Sequence, residues 1–86
     1  MKIAKVTGSV VATKKEDSLV GTKLMIVKFE SSEGIPYGNE EVAVDYVGAG
    51  VGEIVLVASG SAVRTSQATH GKAIDLAIVG IIDYLN

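Results

Sequence analysis

The sequence predicts a mainly β fold: a small five-stranded barrel with one or two short helices. Three observations carry that expectation. Thirteen Val and eight Ile stand against five Leu, and β-branched side chains suit the pleated surface of a strand better than the crowded face of a helix. Ten Gly and a single Pro mark frequent turns and bulges rather than a linker. Short apolar or alternating runs recur between those turns, with no internal repeat or low-complexity stretch. Eighty-six residues give one domain, 1–86, with one core. A chain of this size hides only about 60–65% of its unfolded surface, so stability is thin unless something is added.

Lys2 to Thr13 reads as the first strand, with Gly8 as a bulge or bend. Lys14 to Ser18 is the polar loop that ends it. Lys23 to Glu30 alternates Leu24, Ile26 and Lys28 with Met25, Val27 and Phe29, a strand with two partly apolar faces. Ser31 to Glu40, with Gly34, Pro36, Gly38 and Asn39, is a loop. Glu41 to Tyr46 sets Val42, Val44 and Tyr46 against Glu41, Ala43 and Asp45, the pattern of a half-buried strand. A glycine turn, Gly48 to Gly52, leads into Glu53 to Ala58, which has no polar face. Gly60 breaks that strand, Ser61 is an N-cap, and 62–67 makes one or two helical turns. Leu76 to Asp83, interrupted by Gly80, is the last strand, buried on both faces or lying against another subunit. Five strands with two bend-forming glycines suggest a partly open Greek-key barrel of the OB type.

Composition narrows function. Eight Lys and Arg against ten Asp and Glu leave a net charge of −2, and the pI is near 5.2. Neither suits DNA, RNA or an anionic membrane. The longest nearly unbroken apolar stretch, Leu76 to Ile82, is far short of the roughly 20 residues that span a bilayer, and Met1-Lys2-Ile3 opens no export signal. A cytosolic chain is expected. Zero cysteine rules out disulfides, and His70 alone cannot build a zinc site.

Catalytic patterns fail in turn. Gly60-Ser61 lacks a nucleophile elbow. Glu40 and Glu41 are adjacent and point to opposite faces of a strand, while Asp45 and Glu53 read as solvated surface. Gly48-Ala49-Gly50-Val51-Gly52 departs from the dinucleotide fingerprint in its third Gly and precedes a strand, so no helix N-terminus follows to hold a phosphate. Ser66 to Ala73 fails the phosphate-loop pattern as well. What survives is more apolar surface than one small core can hide, which points to association with copies of the same chain.

Several segments together carry a resemblance. They are Gly8-Ser9-Val10 with Thr13-Lys14-Lys15, then Leu19-Val20-Gly21-Thr22-Lys23-Leu24, then Val42-Ala43-Val44-Asp45 running into Val47-Gly48-Ala49-Gly50 and Gly52-Glu53-Ile54-Val55-Leu56-Val57. Gly60-Ser61 with Arg64, and Ile78-Val79-Gly80-Ile81-Ile82-Asp83, complete the set. In order and spacing the chain resembles the pentameric vertex proteins of bacterial microcompartment shells, the EutN/CcmL family of ethanolamine-utilisation compartments and carboxysomes. It departs from the family's habit in Val63, where a small residue is usual, and in Ala73, where proline is frequent.

The resemblance implies a small β-barrel that assembles into a homopentamer, has no catalytic activity or cofactor, and caps shell corners built by hexameric partners. Two loops of small residues are the candidates for lining a narrow central pore: Gly48, Ala49 and Gly50, and Gly60, Ser61 and Ala62. Ordinary tight turns away from the axis are the competing reading. Asp45, Glu53, Arg64, Ile78 and Ile81 are the interface candidates, with Arg64, the only arginine, pairing with Asp45 or Glu53. The alternative function is an OB-type binding module for single-stranded nucleic acid, or an oligomeric adaptor.

Overall fold

All five expected strands form, three from alternating and two from continuous apolar runs. The computed structural model describes residues 1–11, 17–19, 21–60 and 75–83. The helical turns expected over 62–67, His70, Ser61, Ala62 and Arg64 lie outside the described residues. Strands β1 (Lys2–Ser9), β2 (Leu24–Phe29), β3 (Glu41–Asp45), β4 (Ile54–Ser59) and β5 (Leu76–Ile81) are joined by loops, with a short 3₁₀ turn at Asp17–Leu19.

The strands close into a barrel in the order β1-β2-β3-β5-β4, with β4 pairing back onto β1. All neighbours are antiparallel except β3 and β5, which run parallel. The expected partly open barrel is therefore closed. Its parallel seam is short, Val44 opposite Ala77 and Asp45 opposite Ile78, and no periodicity in the sequence announces it. To place β5 between β3 and β4, the chain crosses over one barrel end between Asp45 and Ile54.

One face of each strand fills the barrel. Ala4 and Val6 of β1, Met25, Val27 and Phe29 of β2, and Val55 and Val57 of β4 form the core with Ile78 of β5. Each such Val contributes about 1.5–3 kcal/mol relative to exposure. On β3 the inward residue is Ala43, opposite Met25. Its larger neighbours Val42 and Tyr46 face out, and Val42 is 44% exposed. Val44, of the same alternating set, is nonetheless fully buried, opposite Leu24 and Ala77, so that face of β3 is covered at Val44 and exposed at Val42 and Tyr46.

Two irregularities bend the barrel. Pairing of β1 with β2 slips between Val6 and Gly8, the bulge expected at that glycine. β1 ends at Ser9, with Val10 N–H donating one further bond to Leu24 C=O, and Thr13, the expected end, lies outside the described residues. On β5, Ile78 opposes Val57 while Gly80 opposes Leu56, so Val79 is the extra residue and is turned outward. The last strand is thus covered on both faces at Ala77 and Ile78, while Val79 and Ile81 are exposed in the single chain.

Candidate functional site

Parallel β3 and β5 bring Asp45 and Ile81 to one barrel end, together with the starts of β2 and β4. The glycine loop that crosses this end is tied down from both sides. Asp45 closes β3 with its side chain wholly inaccessible (0%). Its Oδ1 accepts the N–H groups of Val47 and Gly48, each at 3.0 Å, and Oδ2 accepts that of Ala49 at 2.8 Å. Three consecutive amides therefore end on one carboxylate. Lys23 Nζ lies 3.1 Å from Oδ2 and donates to Ala49 C=O at 3.1 Å, joining the loop to the entry of β2. Burial pushes the Asp45 carboxyl up, but the Val47 amide, the Lys23 ammonium and the Ala49 amide outweigh it and leave it below the ordinary carboxylate value.

The second half of the loop is held differently. Gly50 N–H donates to Glu53 Oε1, Gly52 N–H to Val6 C=O, and Val6 N–H to Glu53 C=O. Gly52 sits at φ +94°, where a side chain is strained. Gly52→Ala should cost about 1–2 kcal/mol in a urea unfolding curve, and an unchanged midpoint would show that the loop relaxes without effort.

Three candidate residues do not face outward: Asp45, expected on solvated surface or at an interface, has its side chain buried under the loop it holds. Ala49, expected at a pore, and Ile78, expected at an interface, have no accessible surface and belong to the core. Asp45 draws the Ala49 amide inward, and Ile78 lies between β3 and β4 on the inner face. Gly48, Gly50, Glu53 and Ile81 are exposed. Around them this end presents Tyr46, Val47 and Val51 from the loop and Val79 from β5, all exposed, and Val51 most of all (65%). Lys23 was not singled out from sequence; its signal is the lysine that immediately precedes a strand paired with the aspartate's own strand.

Gly60 lies elsewhere. It ends β4, where its N–H donates to Asp75 C=O. The Gly48–Gly50 loop and Gly60 are thus at opposite ends of β4, whose six residues separate them by roughly 20 Å at about 3.3 Å per residue. At the Gly60 end, Lys2 Nζ stands 4.9 Å over the Phe29 ring, which stacks on Tyr37. A depression of about 190 Å³ there is lined by Lys2, Phe29, Glu41, Val57, Ser59 and Leu76. Those side chains offer no nucleophile with a positioned base.

The described residues define a closed OB-type barrel with an exposed apolar end, a small β module. The chain belongs to the EutN/CcmL family, which it matches over residues 1–83 under the description "Ethanolamine utilisation protein EutN/carboxysome". The bacterial microcompartment shell vertex protein PduN of Salmonella typhimurium is 50% identical, covering all of this chain and 99% of that protein. Among solved structures, CcmL of Nostoc sp. PCC 7120 superposes with a TM-score of 0.93 at 44% identity, covering all of this chain and 93% of that one. The pentameric microcompartment shell protein GrpN from Rhodospirillum rubrum superposes at 0.89 with 48% identity, covering all of this chain and 98% of that one. These findings lend no support to the nucleic-acid alternative.

Proposed function

We propose that the chain is a structural subunit that assembles as a homopentamer and closes the vertices of a bacterial microcompartment shell in the cytoplasm. The observation that carries this reading is the full-length likeness to shell vertex proteins, one of them described as pentameric. The geometry explains the need. A flat layer of hexagonal tiles closes into a polyhedron only with pentagons, so the neighbours of this ring are hexameric shell proteins. Residues 1–86 act as one domain, with no catalytic activity and no cofactor.

A five-fold ring uses a heterologous contact, in which one face of a subunit meets a different face of the next. Of the two candidate loops, the one over the Asp45 end carries Tyr46, Val47 and Val51, too large for five copies to converge on an axis. Gly60, with the Ser61 and Ala62 that follow it, has only small side chains and is the better lining for a narrow opening. Glu53, more exposed than Asp45, is the better partner for Arg64 across a subunit boundary. Native mass spectrometry tests the reading: a species five times the 8.9 kDa chain is expected at neutral pH, with less of it for Arg64→Ala. A wild-type monomer at micromolar concentration would overturn the vertex role.

A further inference from the structure

Large apolar side chains on a rigid loop are unusual surface for a chain with a net charge of −2. At the Asp45 end Tyr46, Val47 and Val51 of the loop and Val79 and Ile81 of β5 are all exposed, and Tyr46 N–H donates to Ile78 C=O. The loop half of this face is tied down by hydrogen bonds that leave Tyr46, Val47 and Val51 outside while Ala49 turns into the core. We propose that this face receives a second copy of the chain, and that Asp45, assisted by Lys23, is the positioning residue that holds the loop ready for it. The inference rests on the vertex reading and names the contact within it.

The occupant follows from three observations. The similar GrpN protein is pentameric, so a ring subunit must cover part of its surface with another copy. Apart from Glu53, the exposed residues of 46–53 are uncharged, so the face suits the apolar surface of a like chain rather than a basic or acidic partner. The large side chains exclude it from a five-fold axis and leave the subunit boundary.

The division of the loop assigns the latch. Residues 50–53 keep the hydrogen bonds of Glu53 and Val6 whatever happens at Asp45. Val47, Gly48 and Ala49 have their amides on Asp45, and Ala49 C=O on Lys23. Without the carboxylate this stretch samples other shapes, and a contact made by one shape weakens by the fraction of time that shape is absent.

Two variants test the proposal by native mass and amide hydrogen exchange. Val51→Glu, at a side chain mostly in water, should leave the barrel intact and shift the ring to monomer. In Asp45→Asn the amides of Val47, Gly48 and Ala49 should lose protection while those of Val27 and Val55 keep it. Its ring should dissociate at about tenfold higher concentration or more, the scale of losing one charged hydrogen bond. Should Asp45→Asn fail to fold, Lys23→Met, which keeps the carboxylate, gives the same two readouts with a smaller change. A wild-type ring that survives Val51→Glu, or latch variants with unaltered exchange at 47–49, would overturn the proposal and leave the vertex reading standing. A wild-type monomer would overturn both.

Discussion

Ile78→Ala should destabilise the folded subunit by about 3–4 kcal/mol, the cost of a truncated Ile whose cavity only partly collapses. Ile78 is fully inaccessible and lies on the strand that closes the barrel, opposite Asp45 on one side and Val57 on the other. Both seams lose packing at once. For a domain of this size the melting temperature should fall by roughly 12–32 °C, at about 4–8 °C per kcal/mol. Ile81→Ala is the control: at 38% exposure it should cost about 1 kcal/mol or less to the single chain. Thermal melts at one fixed chain concentration make the comparison, because ring formation adds a concentration-dependent part to both. Equal losses for the two variants would remove Ile78 from the core and return it to the interface.

That contrast shows where sequence pattern stops informing. Five strands were legible because period-two alternation and β-branched runs follow from the pleat itself. The bulge near Gly8 was legible for a similar local reason. Which face of β3 lines the core was not: Ala43 packs there opposite Met25, while of the bulkier set Val42 and Tyr46 are exposed and only Val44 is buried, an outcome of closure rather than of the strand. The parallel seam between β3 and β5 is two residue pairs long, and nothing local marks it. The extra residue on β5 fell at Val79, one position before the glycine that suggested a break.

The site divides in the same way. Asp45 was noticeable as a carboxylate at the end of an apolar strand, and a charged partner was the natural inference. Its partners among the described residues are mostly backbone amides two to four positions ahead, groups that every residue carries and no residue type advertises. Small residues at 48–50 suggested a close approach of several chains. For Ala49 the approach is to the subunit's own core. Family resemblance supplied what local chemistry could not, since the absence of a catalytic set is compatible with many kinds of binding protein.

Acid should weaken the wild-type subunit in a way that Asp45→Asn does not share. The folded-state carboxyl is held below its ordinary value of 3.8, so the unfolded chain takes up the proton more readily. The Asp45 contribution is therefore complete above that ordinary value. It is lost as the pH falls through the lower folded-state value. At neutral pH, Asp45→Asn should cost about 2–3 kcal/mol: an amide keeps one acceptor oxygen but sets an N–H₂ group where the carboxylate accepted charged or amide donors. Lys23 recovers part of this by turning to water, since its side chain is 53% exposed. Urea midpoints of the two proteins, measured from neutral pH to below the ordinary carboxylate value, should converge as the pH falls, because protonation removes from the wild type what the substitution has already removed. Parallel curves would mean that the carboxylate keeps its proton affinity on folding, and that the three amides of the loop are held by something other than its charge.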